Sequence, residues 1–327
     1  MGSRRYLLSK TLQAVVTLWF VLTFNFFLFR ILPGDPVALL ARSEKLTPDD
    51  IARLQHDLGL DLPMVEQYGV YLRETLTGNL GESLTTGIPV TDLIKTRLWP
   101  TVLLVGLGTI LSAWLGVVIG IRGGWRRGSR FDTTSQYGSL VLYAMPEGWL
   151  GMLLLLLFSG MLHWFPAGGY ASSTLTGTAR IADLLDHLFL PLLTLTLGYI
   201  GSFSIVMRSS MLDTIAEDYV QTARAKGLSE RVVISKHALR NALLPVVTIL
   251  ALALPGLIGG SVIIESIFAI PGMGQLMVQS VFSRDYPVVM GNLVIVASLT
   301  LVANLVADIT YGLVDPRIRF GGRRGRR

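Results

Sequence analysis

The chain has no cysteine among its 327 residues. That absence removes disulfides, thiolate zinc sites and a cysteine nucleophile together. Charge is scarce as well: Asp, Glu, Lys and Arg make up 15% of the residues against 51% hydrophobic, and mean hydropathy is +0.56. Soluble domains of this length do not reach those values, so the composition points to a polytopic membrane protein. Also lacking is any Gly-x-x-x-x-Gly-Lys-Ser/Thr run, the loop whose backbone amides cradle phosphates. The histidines, His56, His163, His187 and His237, have no metal-ligand spacing, and the sequence carries no internal repeat.

What is abundant is apolar helix. A hydrocarbon core about 30 Å thick needs roughly 20 apolar residues of helix, because a helix satisfies its own backbone groups in lipid. Six runs meet that length: about 11–29, 101–121, 135–164, 191–206, 245–268 and 288–311. The fourth is the least apolar. The first follows Arg4 and Arg5 like a signal peptide, but its core is too long and it ends Phe26-Phe27-Leu28-Phe29-Arg30 without small residues, so retention is expected. Basic residues fall mainly in 1–10, in 122–130 (Arg122, Arg126, Arg127, Arg130), in 208–240 and after Asp315. Basic loops resist crossing the membrane, which predicts a multi-pass protein with both termini cytoplasmic. The tail Gly321-Gly-Arg-Arg-Gly-Arg-Arg327 reads as an anchor at anionic membrane lipid rather than a nucleic-acid-binding element.

Four segments follow: 1–30 with the first span, a helical extracytoplasmic insert over 31–99, a transmembrane core over 100–314 with a cytoplasmic loop at 208–244, and a basic tail over 315–327. In the insert, Leu32-Pro-Gly-Asp-Pro36 is a turn and Thr47-Pro-Asp-Asp50 a helix start, with helical patterning through Ile51, Leu54 and Leu58 and again through Val65, Tyr68, Val70 and Leu72. It fits a docking surface or a packing collar equally.

The loop is the most specific stretch. Asp213 is a candidate N-cap, Glu217 and Asp218 occupy early turns, Arg224 and Lys226 the last, and Gly227 supplies a left-handed stop before Ser229 caps a second helix ending at Pro245. Ile215, Tyr219 and Ala223 fall four apart, giving one apolar stripe with Asp218, Gln221 and Arg224 elsewhere. Such a helix docks in a partner's groove or lies on headgroups; periodicity does not separate these.

Asp218-Tyr-Val-Gln-Thr-Ala-Arg-Ala-Lys-Gly227, with His237-Ala-Leu-Arg-Asn-Ala-Leu-Leu-Pro245, resembles the cytoplasmic signature of ATP-binding-cassette importer permeases, in the longer form of dipeptide, oligopeptide and nickel permeases. Gln221-Thr222-Ala223 stands where the generic signature has Glu-Ala-Ala. Leu32–Pro36, Gly59–Pro63, Gly81–Leu84, Glu265–Phe268 with Pro271-Gly272, Arg284–Pro287 and Asp315–Arg317 resemble landmarks of the same family in the same order.

The resemblance implies an all-α polytopic permease subunit of six spans that breaks no bond itself. A second homologous permease would complete a pathway for di- or oligopeptides working by alternating access. Two ATPase subunits would bind ATP and Mg, leaving this chain without a cofactor, and an external binding protein would deliver substrate. Glu217, Asp218, Tyr219, Gln221, Thr222, Ala223, Arg224, Ala225, Lys226, Gly227 and Leu228 would form the coupling helix. Nickel-chelate or glutathione import is the alternative within the family. An ion-gradient carrier is a reading from another class, and it needs no ATPase dock.

Ionisable residues in spans are costly enough to invite a role. Glu147 after Pro146 departs from the small polar residue usual there in the family, and is placed to pair with a cationic cargo. Glu265, with Asn304 and Asp308 four apart on the last span, are pathway candidates too; for Glu265 and Asp308 a site near the interfaces and a structural hydrogen-bonding role are the competing reading. Gly256, Gly259 and Gly260 with Pro255 read as a close-packing stretch against a neighbouring permease.

Overall fold

A computed structural model describes residues 3–31, 47, 49, 61–172, 174–253, 256 and 260–314. The helices are α1 Ser3–Ile31, α2 Met64–Thr77, α3 Val90–Trp125, α4 Arg130–Ala144, α5 Glu147–Leu154 continuing into a π-helical turn Leu155–Met161, α6 Gly177–Ala216, α7 Asp218–Ala225, α8 Glu230–Ala242, α9 Leu244–Ala253, α10 Val262–Ile267, α11 Met273–Phe282 and α12 Tyr286–Val314. Among the described residues there is no strand, only an isolated bridge between Glu82 and Pro89. The protein is an all-α polytopic membrane protein. Four stretches are long and apolar enough to cross a bilayer, within α1, α3, α6 and α12; the number rises to 6 if two bent pairs each make one span.

Those pairs correct two expected spans. The run over 135–164 is not one rod: α4 and α5 meet at 100°. Pro146 is the cause, because its ring disfavours helical backbone in the preceding residue, and Met145 is extended at φ −74 and ψ 130. The run over 245–268 is also divided. α9, described over Leu244–Ala253, joins α8 across a 44° bend, and α10 begins at Val262. Gly260 between them is left-handed at φ 76. The weak fourth run, by contrast, lies inside the 40-residue α6. At 1.5 Å per residue α6 is about 60 Å long, twice the hydrocarbon thickness, so its ends stand clear of lipid.

The chain divides into two compact units, Met1–Trp99 with Gly272–Arg327, and Pro100–Pro271. In the first, α1 packs along α12 and against α2. Asn25 donates to the Tyr71 hydroxyl and the Met290 carbonyl, both at 3.2 Å, and Thr23 meets the Tyr68 hydroxyl at 2.6 Å. Burial holds the Tyr71 phenol above its ordinary range, so it stays neutral as it accepts from Asn25. Val90, Ile94, Met273, Leu276 and Val288 form this unit's core.

Two of the short motifs, some 200 positions apart, meet here. Asp285, 2% exposed, accepts from Ser83 Oγ at 2.5 Å, Thr85 Oγ1 at 2.8 Å and the Leu84 and Thr85 amides at 3.1 and 3.3 Å. A carboxylate is acceptor-only, and four donors from one loop replace the water it gives up on burial.

In the second unit, small residues of α3 recur every fourth position, at Gly108, Ser112, Gly116, Gly120 and Gly124, on the face that meets α6. A Cβ added at Gly116, Gly120 or Gly124 would stand 2.5, 2.6 or 2.7 Å from the Cβ of Phe203, Met207 or Met211. The two backbones are therefore in contact, the geometry small residues permit in membrane helices. The stretch expected to pack against a neighbouring permease is separate from this seam: Gly256 has nothing of its own chain within 4 Å of an added Cβ, and Pro255 and Gly259 lie outside the described residues. Arg208 of α6 grips Asp132 of α4 with Nε–Oδ1 2.5 Å and Nη2–Oδ2 2.9 Å, a bidentate pair on a carboxylate that also accepts from the Gly128 amide.

Candidate functional site

α6 ends where its chain direction breaks at Glu217, extended at φ −68 and ψ 143, and α7 starts at the next residue. The N-cap thus falls at Glu217 rather than Asp213, which sits inside α6. Gln221 Nε2 donates to the Ile215 carbonyl at 3.0 Å, satisfying an acceptor that the end of α6 leaves open. At the other end Gly227 is left-handed at φ 76. Its amide reaches the Arg224 carbonyl at 2.9 Å, and the Leu228 amide reaches Ala223 at 3.4 Å, the paired bonds of a Schellman stop. Ser229 takes the N-cap position of α8 through its backbone, its side chain making no cap bond. α8 carries a π-helical turn at Val233–Ala238.

The break alters the expected apolar stripe. Ile215 belongs to α6, so the residues α7 turns inward are Val220 and Ala223, both buried, packed with Val233 of α8 and Trp125 at the end of α3. Tyr219 is 39% exposed, and its hydroxyl accepts from Asn241 Nδ2 at 2.8 Å. Arg224 is half-buried: its guanidinium lies 5.0 Å from the centre of the Trp125 ring, and its Nε is 3.2 Å from Glu230 Oε1. Full burial of each valine contributes about 1.5–3 kcal/mol, whereas an exposed ion pair contributes roughly 0–1 kcal/mol. Packing therefore seats α7, and the ion pair trims it.

The remaining predicted residues face solvent. Glu217, Asp218, Gln221, Thr222, Ala225, Lys226, Gly227 and Leu228 are all exposed, and with Tyr219 they make a short polar ridge with one apolar tip at Leu228. Thr222 Oγ1 folds back onto the Asp218 carbonyl at 2.8 Å, leaving the ridge compact. Sequence reasoning missed Trp125. It had used 122–130 only for its charge, and the available signal was one aromatic at a helix end among arginines.

The pathway candidates are not brought together. Glu147 opens α5, half-buried, with its carboxyl beside the Tyr199 hydroxyl and its Cγ 3.4 Å from a Cβ added at Gly198. Glu265 makes the structural hydrogen bond of the competing reading: it is 0% exposed in α10 and accepts from Thr101 Oγ1 at 2.8 Å. Asn304 is exposed on α12, and the side chain of Asp308 lies outside the described residues, as do 32–46 and 50–60 of the insert. A cavity of about 300 Å³ opens in the first unit, lined by Phe26, Arg30, Tyr71, Glu74 and Met290 among others; no pathway candidate lines it. Among the described residues no group of His, Cys, Asp or Glu is arranged to hold a metal ion.

Comparison with known proteins covers residues 3–320 of the chain. Residues 86–320 match the family described as binding-protein-dependent transport system inner membrane component, and residues 3–105 match that family's N-terminal model. The oligopeptide transport system permease protein AppB of Bacillus subtilis is 40% identical over 316 residues, 96% of this chain and 99% of its own. The di/tripeptide transport system permease protein DppB of Pseudomonas aeruginosa is 40% identical over 95% of this chain and 98% of its own. A probable peptide ABC transporter permease of Sinorhizobium fredii is 36% identical over 96% of the chain. With both halves matched and relatives of this identity aligned end to end, the chain belongs to the inner-membrane permease components of binding-protein-dependent transport systems.

Proposed function

We propose that this chain is one membrane subunit of an ATP-driven importer of short peptides. It pairs with a second homologous permease, and the two line a pathway that opens alternately to either side. Two ATPase subunits bind ATP and Mg, an external binding protein delivers the peptide, and this chain needs no cofactor of its own. The observation that carries the cargo class is end-to-end similarity to permeases named for oligopeptides and for di- and tripeptides.

The local geometry supports the coupling role of α7. A helix of 8 residues seated by its inner face and presenting Asp218, Gln221, Thr222, Ala225 and Lys226 outward is a rigid handle for a partner's cleft. The one-residue joint at Glu217 and the contacts with α8 tie it directly to its neighbours, so that its displacement is passed on to them. On this reading α7 and both termini face the cytoplasm, in agreement with the basic segments 1–10, 122–130 and 208–240.

Reconstitution of the chain with its partner permease, ATPases and binding protein in proteoliposomes tests the proposal. Uptake of labelled di- to oligopeptides is expected only with internal ATP at the α7 side, and vanadate is expected to stop it. Uptake that persists in vanadate and follows an imposed ion gradient overturns the proposal, as does uptake restricted to nickel chelates.

A further inference from the structure

We infer that Trp125 is a positioning residue for the transport cycle, the point at which α7 grips α3. The inference deepens the coupling reading of α7 and rests on it. Three ties hold α7 to the rest of its unit. The chain itself joins it to α6 through Glu217. Val233, Asn241 and Glu230 tie it to α8 by packing, a 2.8 Å hydrogen bond and a 3.2 Å ion pair. In the third tie the Trp125 indole, the last residue of α3, lies beneath the inner face of Val220 and Ala223 with the Arg224 guanidinium 5.0 Å from its ring centre.

Each tie is modest alone, since a cation over an exposed aromatic face contributes about 0.5–1 kcal/mol. Their arrangement gives the third its weight. A displacement of α7 passes directly to α6 and α8, but reaches the end of α3 through the indole. Beyond that point α3 and α6 are in backbone contact at Gly116, Gly120 and Gly124, so a motion delivered to both helices at one end carries them together. Without the indole, α7 still pulls on α6 and α8 but has no direct hold on α3 at the place where α3 and α6 begin to run side by side.

The test uses the reconstituted complex and reads peptides imported per ATP hydrolysed, a ratio that partial loss of folded protein does not move. Trp125→Leu keeps apolar bulk and removes the ring face; the ratio is expected to fall at least about fivefold, the lower end for a coupling free energy between two sites. Trp125→Phe, which keeps a ring face, is expected to restore most of it. Arg224→Gln, at a half-exposed position that folding tolerates, is expected to lower the ratio as well, and the double variant no further than Trp125→Leu alone, because both act through one contact.

An unchanged ratio in Trp125→Leu, or a Phe variant as defective as Leu, overturns the inference while ATP-driven uptake by the wild-type complex leaves the importer reading intact. A wild-type complex from which no ATPase can be isolated overturns the reading on which the inference rests.

Discussion

Gly120→Leu is expected to yield no monodisperse protein, and Gly120→Ala to lose several kcal/mol of stability, roughly the upper range of overpacking or beyond. A Cβ at this position would lie 2.6 Å from Met207 Cβ, 2.8 Å from the Ser204 carbonyl oxygen and 2.9 Å from the Arg208 amide nitrogen. Two of those three neighbours are backbone, so no rotamer change relieves the clash and α6 itself must retreat. Retreat uncovers Met207 and Met211, each 0% exposed, and shifts Arg208 out of register with Asp132. Gly106→Ala supplies the contrast on the same helix, because nothing lies within 4 Å of its added Cβ. Alanine there is expected to be neutral or to stabilise by up to about 1 kcal/mol through helix propensity. Size-exclusion profiles after a heating series distinguish the two sites; equal stability of the Gly120→Ala and Gly106→Ala proteins would refute the backbone contact.

Gly227→Val is expected to cut ATP-driven peptide uptake more than tenfold while ATP hydrolysis continues. The position has open space around an added Cβ, so the effect is conformational rather than steric. At φ 76 a non-glycine residue costs about 1–2 kcal/mol, asparagine being the best tolerated and β-branched residues the least. Valine forces the chain out of the left-handed region, which breaks the Gly227–Arg224 and Leu228–Ala223 bonds and re-aims Leu228 and Lys226 at the tip of the ridge. A graded series follows, with uptake falling from glycine through asparagine and alanine to valine. Wild-type uptake by the valine protein would show that the shape of this turn does not matter to coupling.

Much of the architecture is written in hydropathy, because a helix that crosses lipid needs about 20 apolar residues. Averaging over such windows hides what one residue does inside them. Pro146 stands in a run apolar enough to read as a single span, yet its restriction on Met145 turns the chain through 100°. Around α7 the glycine stop was legible from the residue type, since φ near +76 is a glycine conformation. The helix start was not. Asp213 and Glu217 are both acidic residues ahead of helical patterning, and Ile215 and Tyr219 keep a four-residue spacing across the break, so periodicity runs through it without a mark.

Long-range partners were the least legible. Glu265 gave no sign of its donor Thr101, 164 positions away, nor Asp285 of the Ser83–Thr85 donors across 200. The glycines of α3 recur every fourth residue and were open to a spacing argument.

The absence of cysteine makes the decisive measurement direct. A single cysteine introduced as Lys226→Cys, at the exposed end of α7, can be alkylated with a maleimide-benzophenone reagent, whose photoactivated ketone then inserts into a C–H bond of whatever lies against it in the assembled complex. The account predicts an adduct with the mass of one permease plus one ATPase subunit, its yield changing between the nucleotide-free and vanadate-trapped complex. Val65→Cys, exposed on α2, is predicted to give none. Adduct formation from position 65 with none from position 226 would contradict the account.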